Sequence, residues 1–283
     1  MSRILEVAID GGPYALTPGP DGAMWVTLVH GGAIARVSHD GAFEVYPVAT
    51  DAKPSLITAG PDGALWFTRA GDDRIGRITT DGELTAFELP KGSSPFGITT
   101  GPGDALWYTA MSAGSIGRIT VDGVVSEEAV VGGMPSMIAA GPDGALWFTL
   151  NQANAIGRLD PSGGVTLRTV PTPNAGPVGI AATHDDAVWF TELRSERLGR
   201  IPLNDAIQEL ELPGKPHAVV ADPTGGVWVS LWGTDQIARV SADGAVDTID
   251  LPTGSEPHGL AIGPDGALWV ALEAGYVLRF PTG

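Results

Sequence analysis

Pro54-Ser-Leu-Ile-Thr-Ala-Gly-Pro-Asp-Gly-Ala-Leu-Trp66-Phe-Thr68, then Arg74-Ile-Gly-Arg77-Ile78, then Asp81-Gly82-Glu-Leu-Thr-Ala-Phe-Glu-Leu89-Pro90, is the stretch from which the fold is read. Asp62-Gly63 and Asp81-Gly82 each sit between short apolar runs. Asp-Gly supplies positive φ at small steric cost and is a strong hairpin signal. From Glu83 to Leu89 polar and apolar residues alternate with the period of a strand. The unit therefore holds four short antiparallel strands and no helix.

Working outward, the same unit recurs along the whole chain. Trp66 has counterparts at Trp25, Trp107, Trp147, Trp189, Trp228 and Trp269, with gaps of 41, 41, 40, 42, 39 and 41 residues. An arginine follows each tryptophan by eleven residues at Arg36, Arg77, Arg118, Arg158, Arg200 and Arg239, and by ten at Arg279. A proline precedes each by twelve, at Pro13, Pro54, Pro95, Pro135, Pro177, Pro216 and Pro257. Four strands in a unit of about forty residues is the geometry of a propeller blade. The spacing predicts an all-β, seven-bladed β-propeller with four antiparallel strands per blade, residues 1–283 forming one domain.

Counting strands also predicts how the ring closes. After Arg279 the chain has room for no further strand, so the seventh unit holds three. Residues 3–9, with Ile4-Leu-Glu-Val-Ala-Ile9, resemble the outer strand of the other units and are expected to pair onto the blade formed by residues 256–281. Closure of this kind leaves no long unpaired edge.

Composition narrows the function classes. Among 283 residues there are 40 Gly, 23 Pro and no Cys, which excludes disulfides, thiolate metal sites and cysteine nucleophiles. The net charge of −17 disfavours nucleic acid and anionic membranes as partners. The first residues lack the apolar core of a signal peptide, and no stretch has the length of a membrane-spanning helix. A monomeric cytoplasmic protein is the expectation.

Residues that recur in every blade carry the fold, so the seven Trp and seven Arg are read as structural. Functional residues are sought where a repeated slot is filled with unusual chemistry. The slot after the marker proline reads Tyr14, Ser55, Phe96, Ser136, Val178, His217 and His258, and it lines the channel mouth. The slot before it reads Gly12, Lys53, Ser94, Met134, Gly176, Lys215 and Glu256. Glu256 and His258 lie two apart on a segment read as extended, which directs both side chains to one face. A second acid, Glu273, falls four residues after Trp269, where other blades have Val29, Ala70, Met111, Asn151, Leu193 and Trp232. Glu192, three residues past its Trp, is the nearest competitor. His30, His39 and His184 are read as solvated loop residues.

Two carboxylates with open space between them suit Mg²⁺, which takes one or two carboxylates and keeps several waters. An imidazole beside them suits general acid–base work. No P-loop, dinucleotide fingerprint, zinc-type histidine cluster or Ser/His/Asp order is present. On the residues alone, three classes stay open: a lyase, a metal-dependent lactone or ester hydrolase, and a non-catalytic propeller that binds a peptide or polysaccharide.

The whole chain resembles the virginiamycin B lyase (streptogramin B lyase) family. The likeness is carried by the Gly-Pro-Asp-Gly-Ala-Leu-Trp-Phe-Thr and Ile-Gly-Arg-Ile repeats, by Glu256-Pro257-His258-Gly259 and by Ala271-Leu272-Glu273, with His217 and Tyr14. The resemblance implies a carbon–oxygen lyase that opens a cyclic depsipeptide antibiotic at its ester by elimination and so confers resistance. It further implies that Glu256 and Glu273 hold Mg²⁺, that His258 is the catalytic base, and that His217 and Tyr14 contact substrate. Phe96, Met111, Met134 and Trp232 are candidate apolar contacts for the macrocycle.

Overall fold

The computed structural model describes residues 4–203 and 205–281. Among the described residues the chain forms seven four-stranded antiparallel sheets and no helix. Six blades are built from consecutive strands, spanning 13–47, 54–88, 95–130, 135–169, 177–211 and 216–250. The seventh contains Pro257–Ile262, Leu268–Leu272 and Tyr276–Phe280, and Leu5–Ala8 is its outer strand. Leu5 pairs with Arg279 and Ala8 with Tyr276. The expected closure is thus found over Leu5–Ala8, while Arg3 lies outside the described residues. Val7 and Ile9 are buried in one apolar cluster with Val26, Leu28, Trp269 and Val277, which spans blades 7 and 1. The closing strand is packed as well as paired, and burying each aliphatic side chain of this kind is worth about 1.5–3 kcal/mol.

The repeated residues have a common task. In blade 2 the Trp66 Nε1–H donates to Asp62 Oδ1 at 2.9 Å and Arg77 Nε–H to Asp62 Oδ2 at 2.7 Å. Asp21 receives Trp25 and Arg36 in the same way, and Asp143 receives Trp147 and Arg158. Arg200, Arg239 and Arg279 bond Asp185, Asp222 and Asp265. The carboxylate joins the innermost hairpin to the third strand, while the Trp–Arg spacing itself follows from their direct cross-strand pairing in every blade; the Trp189, Trp228 and Trp269 indoles are buried without a carboxylate partner. Blade 3 has Gly103 at this position, and there Trp107 Nε1–H turns to the Pro102 carbonyl at 3.1 Å. In the turns themselves only the glycine of each Asp-Gly pair is left-handed: Gly63 has φ 74° and Asp62 is not among the positive-φ residues. The hairpin loop closes with Gly63 N–H on Gly60 O and Gly60 N–H on Ala64 O, a five-residue connection between Ala59 and Leu65 rather than a two-residue one.

These turns lie at one end of the ring. The marker prolines and the loops between second and third strands lie at the other, where a second device aligns the blades. Each inner strand has a register shift just after its proline, as between Pro54 and Ile57, and Pro257 and Leu260. The bulge turns a carbonyl towards the neighbouring blade. Thr27 Oγ1–H donates to Ser55 O at 2.8 Å, Thr68 to Phe96 O at 2.7 Å, and Thr191 to His217 O at 2.7 Å. Blade 7 has Ala271 where the others have a hydroxyl, and its contact with blade 1 is made by close approach instead. A Cβ on Gly259 would lie 2.7 Å from Tyr14 O and from Ala15 Cα. Gly97 and Gly179 approach their neighbouring blades as closely, at 2.6 Å from Ser136 O and 2.4 Å from His217 O, so the seam keeps a junction geometry used elsewhere in the ring but without the hydroxyl.

Candidate active site

All seven residues before the marker prolines are left-handed: Gly12 (φ 71°), Lys53 (46°), Ser94 (46°), Met134 (59°), Gly176 (64°), Lys215 (55°) and Glu256 (51°). A left-handed residue turns the incoming connection into the inner strand, so this backbone feature belongs to the fold. It corrects the expectation that Glu256 and His258 share a face by strand alternation. Glu256 lies before the strand Pro257–Ile262 in a non-extended conformation, and its residue is exposed while His258 is buried. What does hold is the slot equivalence of Glu273. Its N–H donates to Glu256 O at 3.1 Å, just as Val29 bonds Gly12 O, Asn151 bonds Met134 O and Trp232 bonds Lys215 O. The shorter spacing later in blade 7 leaves this register untouched.

The bulged slots carry their side chains together at the channel mouth. The rings of His217 and His258, from adjacent blades, meet edge to face with centroids 4.7 Å apart. Tyr14 lies 4.6 Å from the His258 ring and 6.1 Å from that of His217, and it reaches Phe96 at 6.3 Å. Trp232 flanks His258 at 6.3 Å and carries the Lys215 ammonium over its own face at 5.3 Å. The Glu273 carboxylate is shared: Oε2 contacts His258 Nε2, and Oε1 lies 2.6 Å from His30 Nε2.

The electrostatics follow from this enclosure. Burial, reinforced by the charge of His30, pushes the His258 imidazole down to about 4 from its ordinary 6.5. His217 opens partly to the channel but is ringed by protein atoms, and burial with the neighbouring His258 pushes it down to about 3. Tyr14 moves the other way: burial, and then the Glu273 charge, hold its phenol above the ordinary range. At neutral pH the mouth therefore offers two neutral imidazoles, one phenol that keeps its proton, and a carboxylate against His258. The Nδ1 atoms of both His217 and His258 are buried without a hydrogen-bond partner, and such atoms are costly unless a ligand meets them.

Tyr14, His217, His258 and Glu273 are thus brought together, and Glu256 joins them through its backbone bond with Glu273. Glu192 is not part of the group. It ends the strand Ala187–Glu192, fully buried, with Oε2 accepting the Ser195 hydroxyl at 2.7 Å. Burial and the charge of Glu209 hold its carboxyl above the ordinary range despite that bond. His30, read from the sequence as a solvated loop residue, is the one participant that reading passed over. It is exposed, yet its Nε2 is committed to Glu273. A signal was present in Gly12, the small residue over which the His30 ring lies.

The donor set is compatible with Mg²⁺. Glu256 and Glu273 provide hard oxygens on two hydrogen-bonded residues, one exposed and one at the channel mouth. Among the described residues no group of three or more His, Cys, Asp or Glu forms an all-protein cage. Two carboxylates supplemented by water is the arrangement Mg²⁺ favours.

Known proteins resemble the chain over its whole length. The profile described as the virginiamycin B lyase family matches residues 2–280. A virginiamycin B lyase of Mycolicibacterium smegmatis is 73% identical over 281 residues, covering 99% of this chain and 100% of that protein. One from a Mycobacterium species is 71% identical over the same length and the same shares of both chains. Among solved structures, a streptogramin B lyase superposes with a TM-score of 0.93 at 34% identity, covering 98% of this chain and 96% of that one. A catalytically inactive His-to-Ala variant of Staphylococcus aureus virginiamycin B lyase with quinupristin superposes with a TM-score of 0.92 at 36% identity, covering 98% of each. A WD40 propeller domain at 11% identity and a TM-score of 0.82 shares the fold alone.

Proposed function

The chain belongs to the virginiamycin B lyase family and is a lyase, and from that premise we propose that it linearises streptogramin B-type cyclic depsipeptides by Mg²⁺-dependent elimination at the ester bond. The observation that carries this reading is His258: buried, neutral, seated against Glu273 and facing the mouth shared with Tyr14 and His217. The inactive His-to-Ala variant of the S. aureus enzyme supports a histidine in that role.

Elimination requires removal of a proton from the carbon next to a carbonyl while the ester carboxylate leaves the β-carbon. The electrons of the C–H bond become the new C=C bond, and water is not consumed. His258 accepts the proton; held well below its ordinary range, it keeps its lone pair at neutral pH. The contact with Glu273 fixes the ring's orientation and balances the imidazolium once it forms. His217 and Tyr14 pack beside His258 and beside each other, and with it they form the wall that the substrate meets. Phe96 and Trp232 add apolar surface on which a macrocycle rests. Mg²⁺ held by Glu256 and Glu273 would supply electrophilic polarisation of the carbonyl adjacent to the abstracted proton.

Incubation with a streptogramin B and Mg²⁺, followed by mass measurement of the linear product, tests the reading. Unchanged mass is expected. A product heavier by one water would replace elimination with hydrolysis.

A further inference from the structure

His30 lies five residues after Trp25, where the other blades have Gly71, Ser112, Gln152, Arg194, Gly233 and Ala274. This position competes for space with the left-handed residue before the marker proline. Where that residue is Lys215, the fifth position is Gly233, and a Cβ there would lie 3.0 Å from the lysine side chain. Lys53 also faces a glycine at the fifth position, Gly71, but there a Cβ would meet the Asp51 carbonyl rather than the lysine. Where it is glycine, the fifth residue is large: a Cβ on Gly12 would fall 2.5 Å from His30 Cδ2, and one on Gly176 would fall 3.0 Å from Arg194 Cδ. Both large side chains use the space identically. Each reaches the residue four past the tryptophan of the preceding blade. Arg194 Nη2–H donates to Asn151 Oδ1 at 3.1 Å, and His30 Nε2 lies 2.6 Å from Glu273 Oε1. An ionised carboxylate only accepts, so His30 Nε2 carries the hydrogen.

We propose that His30 is a positioning residue that holds the Glu273 carboxylate across the seam between blades 1 and 7. With Oε1 tied to His30, Oε2 is directed at His258. The part of this inference that concerns metal rests on the assignment of Glu273 as a Mg²⁺ ligand. Partners that orient a ligating carboxylate typically contribute 10- to 100-fold in metal affinity or activity. Because His30 is 66% exposed and takes no part in the core, its replacement leaves the fold standing.

The test is titration of the substrate-free protein with Mg²⁺ alone, in wild type, His30→Ala and His30→Gln, with a crystal structure of the alanine variant and thermal unfolding of all three. The expected result is affinity weakened about tenfold or more in His30→Ala and recovered in His30→Gln, whose amide also donates. Unfolding temperatures are unchanged, and Glu273 leaves its rotamer in the alanine variant. Wild-type affinity in His30→Ala with Glu273 unmoved overturns the proposal. If the wild type binds no Mg²⁺, the metal assignment falls, and the crystal structure still decides about His30. Displacement of Glu273 sustains the positioning role, and an unmoved Glu273 ends it.

Discussion

Replacing Asp62 by Ala should destabilise the protein by about 1–4 kcal/mol while leaving its chemistry intact. The Asp62 carboxylate accepts the Trp66 indole at 2.9 Å and Arg77 at 2.7 Å. Trp66 is fully buried, so its N–H would lose its partner with no water to replace it, at about 1–3 kcal/mol. The pair with Arg77 is partly exposed, with side-chain exposures of 23% and 16%, which limits its share to about 1 kcal/mol or less. At about 2–4 °C per kcal/mol for domains approaching this size, the unfolding temperature should fall by roughly 2–16 °C. Asp62→Asn keeps an acceptor for the indole and loses only the charge, so it should cost about 1 kcal/mol or less. The assay is calorimetric unfolding of both variants with turnover measured well below the transition. The turn lies at the end of the ring opposite the mouth, so turnover should match the wild type. An Asp62→Ala protein that unfolds with the wild type would refute the idea that this carboxylate ties blade 2 together.

Three further outcomes follow from the same geometry. His258→Ala should lower turnover by at least about 10²-fold with the circular dichroism spectrum unchanged; retained turnover would remove His258 from the reaction. Burial depresses His217 to about 3 from 6.5, so its neutral form contributes stability that is complete above the ordinary value and is lost progressively as pH falls from there towards the depressed one. The urea midpoint without added metal should therefore drop between about pH 7.5 and about pH 5, less so in His217→Phe; equal pH dependence in both proteins would contradict this. Gly259→Val should disrupt closure between blades 7 and 1, because a Cβ meets Tyr14 O and Ala15 Cα at 2.7 Å; a variant that unfolds like wild type would show that the seam yields.

The propeller was legible in the sequence because one physical task is repeated seven times. Trp and Arg recur as a cross-strand pair in every blade, and in six of the seven an aspartate of the inner hairpin accepts from the arginine. A strand short of its count at the C-terminus and a spare one at the N-terminus then locate the seam. The candidate site was legible as departure from that repetition: His217 and His258 in a slot that elsewhere holds Ser, Val or an aromatic. Two features were not legible. The direction of Glu256 depends on a left-handed backbone that the slot imposes on every residue type, and alternation along a strand does not describe it. The role of His30 depends on a partner 243 residues away across the closing seam, and its only local trace is the glycine at position 12. Both lie where tertiary structure, not periodicity, sets the side chain's surroundings.

The fate of the ester bond decides between elimination and hydrolysis. Mass spectrometry of a streptogramin B incubated with the protein and Mg²⁺, run in parallel in water enriched in ¹⁸O, separates the possibilities in one measurement. Elimination predicts a linear product of the same mass as the cyclic substrate, bearing a new C=C bond and no solvent oxygen. A product heavier by one water, labelled from the solvent, would contradict it.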